Sequence, residues 1–485
     1  MRESRAQGKE AVGKGETGPY LNSVRQSDVT LGNRTQTNSG VKKQKSLHPQ
    51  TIRIQHRLAQ WTKSGRKHWD LYRWVSNPYV LWDAIKLVLQ NAGAAGLDGQ
   101  ACESIRGQEW AFAQDIRQEL LSGSYRTGAV RRVYIPKKDG RKRPLGIPNL
   151  RDRIVQRALC LVMEPIYEQV FLPHSYGFRP GKSSVECVAQ VAESVYRKRH
   201  VLEADIESFF DRVSHRKLLG CLEEKIVDPR VLNLIQGILK SGFKEWGKPW
   251  QPTTEGTPQG GPLSPMLANI YLHYFLDVRF EEIRKDHPRV QLIRFADDFI
   301  AVAETRAELV TLKRCIYVWM REAGLKLKEE KTRVVNMTNG RRGHGSKFDF
   351  LGYKFHLRAY ADSPNRFWIA RQPSQKARQT LHENLKTKVL PQLSQIQAKL
   401  ILEQIWRGWS NYFRYGNSNR VFYREAKIVR GLVFTYYLRR KYRRQRRPVP
   451  WRKLREIGRK LGSGIRPLSV ISDLLRQRRA QQTWS

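Results

Sequence analysis

The sequence predicts an α+β fold in which an antiparallel sheet is followed by a helical region. Short apolar runs typical of strands alternate with helical patterns between residues 130 and 357, and after about residue 370 the pattern is helical and basic. The 485 residues suggest roughly three domains. Because 40% of the residues are hydrophobic, the chain can build a substantial core.

The elements follow in order along the chain. Residues 1–50 are polar and lack periodicity, so we assign residues 1–60 to a flexible basic N-terminal arm. Helices are predicted over 80–93, 109–123, 152–171, 215–226, 228–241, 268–284, 306–324, 401–417 and 425–447. Strands are predicted within 130–150, from 200, within the hairpin 290–304, and at 334–337 and 348–357.

The charge of the chain is strongly positive. It has 89 Lys and Arg against 44 Asp and Glu, a formal net charge of +45. Such a chain repels itself unless it binds a polyanion, and nucleic acid is the expected partner because phosphate neutralisation releases counterions. Charge alone does not separate this from ribosome binding or non-specific adhesion.

The cysteines, the apolar runs and the N-terminal residues bear on the cellular location of the protein. The five cysteines form no CxxC pair, which predicts neither a zinc site nor a disulfide framework. No apolar run of about 18 residues occurs, so we expect no membrane partner. The first thirty residues lack an apolar signal segment and contain acids. We therefore expect a bacterial, cytoplasmic and nucleoid-associated location, with an organelle as the alternative.

Acidic residues interrupt two apolar runs. Asp297 and Asp298 lie in RFADDFIA at the tip of the predicted hairpin, and Asp205 ends a strand in ADIESFFD. Considered without Asp205, the residues Asp297 and Asp298 are compatible with a turn. Considered alone, Asp205 is compatible with the N-cap of a helix. Taken together, they can lie on neighbouring strands, where a divalent cation would relieve their repulsion. Oxygen ligands suit Mg²⁺, and two ions about 3.5–4 Å apart stabilise displacement at phosphorus.

The motifs as a set resemble those of group II intron-encoded reverse transcriptase/maturases of the bacterial type. The matching segments are IPKKDGRKRPLGIPNLRDRIVQRAL (135–159), SYGFRPGKSS (175–184), GTPQGGPLSPMLANIYL (256–272), FADD (295–298), GLKLKEEKT (324–332), FDFLGYKF (348–355) and GWSNYFRYG (408–416). The resemblance covers roughly 80–445 and implies a right-hand polymerase with fingers, an antiparallel palm sheet and an α-helical thumb. It divides the chain into fingers and palm (61–370), thumb or maturase domain X (371–447) and a basic C-terminal DNA/RNA-binding tail (448–485).

Two departures from the family pattern are visible. Phe295 stands where most members have Tyr, which should change hydrogen bonding near the primer end and leave the metal ligands intact. No His follows His382 and no Cys follows Cys315. We therefore expect the C-terminal endonuclease of many relatives to be absent, and priming to use another source, for example nascent DNA strands at a replication fork.

The resemblance also assigns the chemistry. Asp205, Asp297 and Asp298 are the expected catalytic acids. Asp205, Ile206 and Asp297 would hold two Mg²⁺ ions, with Asp298 in support. A primer 3′-hydroxyl would attack the α-phosphate of a dNTP, and pyrophosphate would leave. Catalysis of this kind depends mostly on positioning and electrostatics.

Six further residues are expected to bind the dNTP or the template: Arg131, Lys137, Arg143, Phe210, Gln259 and Lys331. The three cations of the fingers hairpin suit phosphate contact, or else a solvated basic turn. Phe210 resembles a steric gate against a ribose 2′-hydroxyl, with core packing as the alternative. Gln259 would lie beside the nascent base pair, which is compatible with a tight turn there. Lys331 resembles a palm lysine, or is a surface lysine.

A basic helix near the C-terminus is the expected RNA face. Its RNA-binding candidates are Arg439, Arg440, Lys441, Arg443 and Arg444, although a charge run is usually a solvated surface. The expected partners are group II intron RNA, a DNA target and primer, and dNTPs.

The expected function is RNA-directed DNA polymerisation that copies intron RNA, combined with maturase binding that assists splicing and mobility. One alternative is a domesticated group II-like reverse transcriptase in defence or repair. Another is a splicing factor with an inactive polymerase. The motif GWSNYFRYG favours the first of these functions, and the intact acids oppose the last.

Overall fold

The structure is a computed structural model, and it describes residues 47–136, 142–337, 346–360, 363, 366–438, 441 and 451–465. Most of the expected N-terminal arm lies outside these residues, as does Lys137. So do Arg439, Arg440, Arg443 and Arg444 of the expected RNA face.

The described residues form sixteen α-helices and ten strands. The helices are α1 Pro49–Lys63, α2 Tyr72–Val75, α3 Pro78–Asn91, α4 Glu109–Ser122, α5 Leu150–Tyr167, α6 Ser184–Lys198, α7 Phe209–Arg212, α8 His215–Glu223, α9 Pro229–Lys240, α10 Ser264–Leu272, α11 Val278–Asp286, α12 Arg306–Glu322, α13 Gln375–Lys388, α14 Gln395–Phe413, α15 Asn419–Leu432 and α16 Trp451–Leu461. The strands are β1 Val130–Pro136, β2 Lys142–Ile147, β3 His200–Asp205, β4 Phe243–Lys244, β5 Gln291–Phe295, β6 Asp298–Ala303, β7 Arg333–Asn336, β8 Lys347–Phe350, β9 Tyr353–Ala359 and β10 Phe367–Pro373.

A four-stranded antiparallel sheet, which we call the palm sheet, has the strand order β5-β6-β3-β7. Both of its faces are buried. Leu202 and Ala301 enter one hydrophobic core, and Val201 and Ile300 enter a second core on the other face. Burial on both faces explains why its strands are continuous apolar runs, since side chains alternate between the faces.

A second sheet, the fingers sheet, has the order β2-β1-β4. β1 and β2 form the expected antiparallel hairpin, and β4 pairs with β1 in parallel. Helices α1, α3, α4 and α5 pack together beside it and share the larger core with the palm. The fingers and palm are therefore one packed body.

A third sheet of order β10-β9-β8 joins the palm to the helices α13 to α16. Tyr353 of β9 and Phe413 of α14 meet with ring centroids 4.8 Å apart. Trp406 and Phe413 of α14 are both buried.

Three sequence expectations need correction. The arm assigned to 1–60 is helical from Pro49, and Ile54 and Leu58 of α1 are buried in the core. The boundary placed at 370/371 falls inside β10. The helix expected over 268–284 begins at Ser264 and contains a π-helical turn, His273–Asp277, between α10 and α11. Within the described parts of the chain, no helix is both long and apolar enough to cross a membrane.

Candidate active site

The site lies at the end of the palm sheet where β3 ends and β6 begins. The two strands are antiparallel neighbours, as predicted, and Asp205 lies directly opposite Asp298 in their register. Directly opposed residues in such a ladder are about 4.5–5.5 Å apart at Cα and share one face. Asp297 lies in the turn that precedes β6. The fold therefore brings Asp205 close to two adjacent acids that lie about ninety residues later in the sequence.

Asp297 and Asp298 face different charges. Arg143 of the fingers and Lys328 act on Asp297, whereas Lys331 and Lys376 act on Asp298. This difference matches the expectation that adjacent strand residues point apart. Asp297 is therefore the acid that faces the fingers.

The three carboxylates repel one another. Burial and the Asp205 charge raise the pKa of Asp297. Burial, followed by the charges of Asp297 and Asp205, raises the pKa of Asp298 to about 7. The site thus concentrates negative charge that a bound cation would neutralise.

Two lysines compensate Asp205. Lys331 Nζ lies 2.6 Å and Lys328 Nζ 3.1 Å from Asp205 Oδ2. Burial opposes ionisation of Asp205, but the hydrogen bonds from Lys331 and Lys328 outweigh it and lower the pKa of Asp205. Lys331, a candidate from the sequence, thus lies in the site, and Lys328 is a neighbour that the motif alone did not single out.

The donor set fits a hard divalent cation. Carboxylate oxygens of Asp205 and Asp297, with the carbonyl oxygen of Ile206 directly after β3, are the ligand type that Mg²⁺ takes. Among the described residues, no three His, Cys, Asp or Glu side chains already surround one point. Lys331 and Lys328 both contact Asp205 Oδ2 in the free protein, so a metal at that oxygen would compete with them.

The turn carrying Asp297 is supported from inside the protein by Arg294. This residue is fully buried, and its Nη1 donates to the carbonyl of Ala296 at 2.9 Å and to Asn269 Oδ1 at 3.0 Å. Its Nε donates to Asp277 Oδ1 at 2.8 Å. Ala296 has a φ of +57°, a conformation that is unfavourable for a residue with a Cβ. Sequence reasoning missed this network, although an Arg inside an apolar strand was its signal.

The backbone near Gly177 also contacts this turn. The Tyr176 amide donates to the Arg294 carbonyl at 2.8 Å, and a Cβ at Gly177 would lie 2.3 Å from the Ala296 nitrogen. Only glycine permits this approach. The sequence motif SYGFRPGKSS thus helps to fix the position of the β5–β6 hairpin that carries Asp297.

Gln259 connects the fingers to the palm. Arg143 Nε donates to Gln259 Oε1, and Gln259 Nε2 donates to Asp211 Oδ1, each at 2.8 Å. The Gln259 carbonyl accepts the Gly146 amide at 2.6 Å. The loop that carries Gln259, residues 256–261, is called the glycine-rich loop below. It forms a tight connection and also contributes Gln259 to the site, two roles that the sequence analysis treated as compatible.

Phe210 follows Asp205 on the short helix α7. It is half-buried, with its ring 5.3 Å from that of Phe209, which is buried in the core. The Phe210 carbonyl accepts the Thr257 amide at 2.7 Å, which holds α7 against the glycine-rich loop. Phe210 is therefore partly accessible to solvent.

The structure also describes two other sequence candidates, one in the fingers and one in the thumb. Arg131 lies on β1 opposite Ile147, and burial together with the Arg153 charge lowers the pKa of Arg131. Lys441 is half-buried and donates to the Leu393 carbonyl and to the Tyr437 hydroxyl. Its ammonium group therefore has intramolecular partners in the thumb.

Two family models match the chain. Residues 135–355 match the family described as reverse transcriptase (RNA-dependent DNA polymerase), and residues 374–457 match the group II intron, maturase-specific domain.

Two proteins with similar sequences and one solved structure can be compared with this chain. Protein YkfC of Escherichia coli (strain K12) is 34% identical over 339 residues, which is 62% of this chain and 87% of that protein. Group II intron-encoded protein LtrA of Lactococcus lactis subsp. cremoris is 39% identical over 206 residues, 42% of this chain and 34% of LtrA. A telomerase from Candida albicans, solved with a TWJ fragment of telomeric RNA, aligns with a TM-score of 0.39 and 12% identity. The alignment covers 73% of this chain and 68% of that chain.

The palm sheet, its three acids and the matched segment define a reverse transcriptase, an α+β polymerase with fingers, palm and a helical thumb. The chain belongs to the reverse transcriptase/maturases of group II introns, and it is an RNA-directed DNA polymerase with a maturase domain. Its partners are nucleic acids, intron RNA among them, and its family uses divalent metal ions.

Proposed function

We propose that this protein copies group II intron RNA into DNA from dNTPs, with two Mg²⁺ ions as the metal, and assists splicing of the same RNA. The observation that carries the proposal is the register of the palm sheet, which places Asp205 opposite Asp298 with Asp297 in the adjoining turn. At this end of the palm sheet the chain supplies carboxylate oxygens as metal ligands, and Lys and Arg side chains lie around them.

Asp205, Asp297 and the Ile206 carbonyl would hold the metal, and Asp298 would add negative charge behind them. Bound Mg²⁺ supplies charge stabilisation at the attacking and leaving oxygens of the phosphoryl transfer. Lys328 and Lys331 neutralise Asp205 in the free protein. If a metal replaced them at Asp205, their ammonium groups would be available to phosphates of the substrate. Arg294 holds the Asp297 turn in position throughout.

The fingers residues would bind the incoming nucleotide. Arg143 is already oriented by Gln259 and can turn to the triphosphate, and Arg131 and Lys137 would contact phosphates of the dNTP or the template. Gln259 and Phe210 would form the floor beside the nascent base pair. In that position the Phe210 ring would exclude a ribose 2′-hydroxyl.

The thumb would bind the intron RNA. The maturase-specific match over 374–457 supports this, together with the basic residues Arg439, Arg440, Lys441, Arg443 and Arg444. RNA shape and phosphates would supply most of the affinity. A DNA primer and target complete the expected partners, which suits a location at the DNA of a bacterial cell.

Primer extension tests the proposal. We expect the wild-type protein to extend a DNA primer on an RNA template with Mg²⁺ and dNTPs. Asp205→Ala and Asp297→Ala should each reduce the rate by at least about a hundredfold, the scale seen when one group that stabilises the transition state is removed.

The matched control is Asp286→Ala, which removes an exposed acid at the end of α11 and should leave the rate unchanged. Circular dichroism would verify that all variants are folded. Extension by Asp205→Ala at the wild-type rate would overturn the assignment of the metal site.

A further inference from the structure

A loop at the outer edge of the fingers sheet has no role in the site described above. Residues 244–250, which we call the Trp246 loop, leave β4 and return to Gln251. Phe243 and Gln251 close the loop with two backbone hydrogen bonds of 2.9 Å each. Because β4 is paired with β1, the loop is attached to the sheet that carries Arg131 and Arg143.

The loop is held firmly in place. The Tyr134 hydroxyl of β1 donates to Glu245 Oε1 at 2.6 Å, and Lys248 Nζ lies 2.6 Å from Glu245 Oε2. The Trp250 indole donates to the Ser241 carbonyl at 3.1 Å, and its ring lies across Gly242, where a Cβ would come within 2.4 Å of it. The loop can therefore bind a ligand without first becoming ordered.

Trp246 at its tip is 94% exposed, the highest exposure among the described large hydrophobic residues. Lys244 and Lys248 flank it and are exposed, and the Arg132 guanidinium lies 3.2 Å from the Phe243 ring centroid at the base of the loop. The acid of the loop, Glu245, is already engaged by Lys248 and Tyr134. The surface therefore combines a free aromatic face with positive charge.

We propose that the Trp246 loop binds single-stranded RNA, with one base stacked on the Trp246 ring and phosphates near Lys244 and Lys248. Aromatic faces with surrounding cations are the chemistry that binds unpaired bases without sequence preference. The inference rests on the proposed function in one respect: the RNA would be the template strand ahead of the active site, because the loop lies one strand beyond β1 at the edge of the fingers sheet.

The experiment measures affinity by fluorescence anisotropy with labelled RNA templates annealed to a DNA primer. One template has a single-nucleotide 5′ overhang and the other an overhang of roughly twelve nucleotides, within the span of single-strand sites. Trp246→Ala and Trp246→Leu should bind the long overhang about five- to a hundredfold more weakly. Trp246→Tyr should stay close to wild type, because it keeps an aromatic face. All variants should bind the short overhang like wild type.

Trp69→Ala is the matched control, since Trp69 is 75% exposed and also adjoins basic residues, Arg66 and Lys67. It should leave both affinities unchanged. Wild-type binding of the long overhang by Trp246→Ala would overturn the proposal. So would wild-type binding by Trp246→Leu, which would indicate an apolar docking surface for another protein. Equal losses on both overhangs would also overturn it. Extension of the short-overhang primer reports separately on the proposed function.

Discussion

At the residue scale, Arg294 connects the stability of the palm to the geometry of the site. It is fully buried beside Asp277 and reaches the carbonyl next to Asp297. Arg294→Met removes the ion pair of the buried Asp277 and leaves it beside the His174 ring nitrogen at 3.5 Å, so we expect unfolding in urea to show a loss of about 3–5 kcal/mol. The turn also loses its support, so the rate of primer extension should fall.

The double variant Arg294→Met with Asp277→Leu separates the two effects. Replacing both buried charges by apolar groups should recover most of the stability. The extension rate should stay low, because the Ala296 carbonyl still lacks its donor. Recovery of both quantities would show that Arg294 acts only through folding. Glu425→Gln, which breaks the buried contacts of Glu425 with Arg378 and His382 in the thumb, is the control for stability loss away from the site.

Asp152 gives a pH dependence with a defined sign. It is buried at the start of α5, where it accepts hydrogen bonds from the Tyr125 hydroxyl at 2.6 Å and the Gly128 amide at 3.1 Å. Burial raises the pKa of Asp152 to about 6, above roughly 3.9 in an unfolded chain. The unfolded state therefore loses its proton first as pH rises. The free energy of unfolding should fall by up to about 3 kcal/mol between pH 4 and pH 6.

Urea denaturation of wild type and Asp152→Asn across this range measures that contribution. The variant should lack the decline, because its amide does not titrate. Identical slopes for the two proteins would show that Asp152 is not the group responsible.

At the scale of elements, the catalytic hairpin depends on the segment that packs against its turn. Gly177→Ala places a Cβ against the backbone of Ala296, which no side-chain rotation relieves. We expect the hairpin to shift and the extension rate to fall at least about tenfold, since small misplacements of catalytic groups are costly. Gly220→Ala in α8 is the matched control, because its added Cβ meets no atom within 4 Å. A wild-type rate for Gly177→Ala would show that the hairpin tolerates displacement.

The elements differ in how well the sequence predicted them. The hairpin 290–304 and the strand from 200 were predicted because apolar runs end at acids, and both are confirmed. Most of the helix from Pro49 was assigned to the arm, which was carried to residue 60, because its residues are largely polar. Its buried residues nevertheless recur at the helical spacing of three and four: Thr51, Ile54, Leu58 and Thr62. The Arg294 network was missed because its partners Asn269 and Asp277 come from the helical segment 264–286, and only tertiary packing brings them together. Pattern reasoning thus found the strands and their acids, while long-range polar partners required the fold.

At the scale of the whole molecule, the polymerase acids and the maturase domain occupy different parts of the chain. The acids lie in the palm, whereas the maturase-specific match begins at residue 374, after β10. We expect Asp297→Ala with Asp298→Ala to abolish cDNA synthesis and to leave intron RNA affinity unchanged or slightly higher, because two negative charges are removed. The affinity would be measured over a range of salt concentrations, and its salt slope should not change. Loss of RNA binding would show that the palm and thumb share one RNA surface.

Substitutions in the thumb should have the opposite effect: intron RNA binding should weaken while primer extension is retained. Arg452 and Lys453 of α16 are exposed cations within the maturase-specific match, and the exposed Arg459 follows it on the same helix. Replacing all three by Gln should weaken intron RNA binding and reduce its salt slope by about one unit for each RNA phosphate that the variant no longer neutralises. Extension of a short, unrelated RNA template should continue at the wild-type rate, because the palm acids and their supporting network are untouched. An unchanged salt slope would place the intron RNA on another face of the molecule.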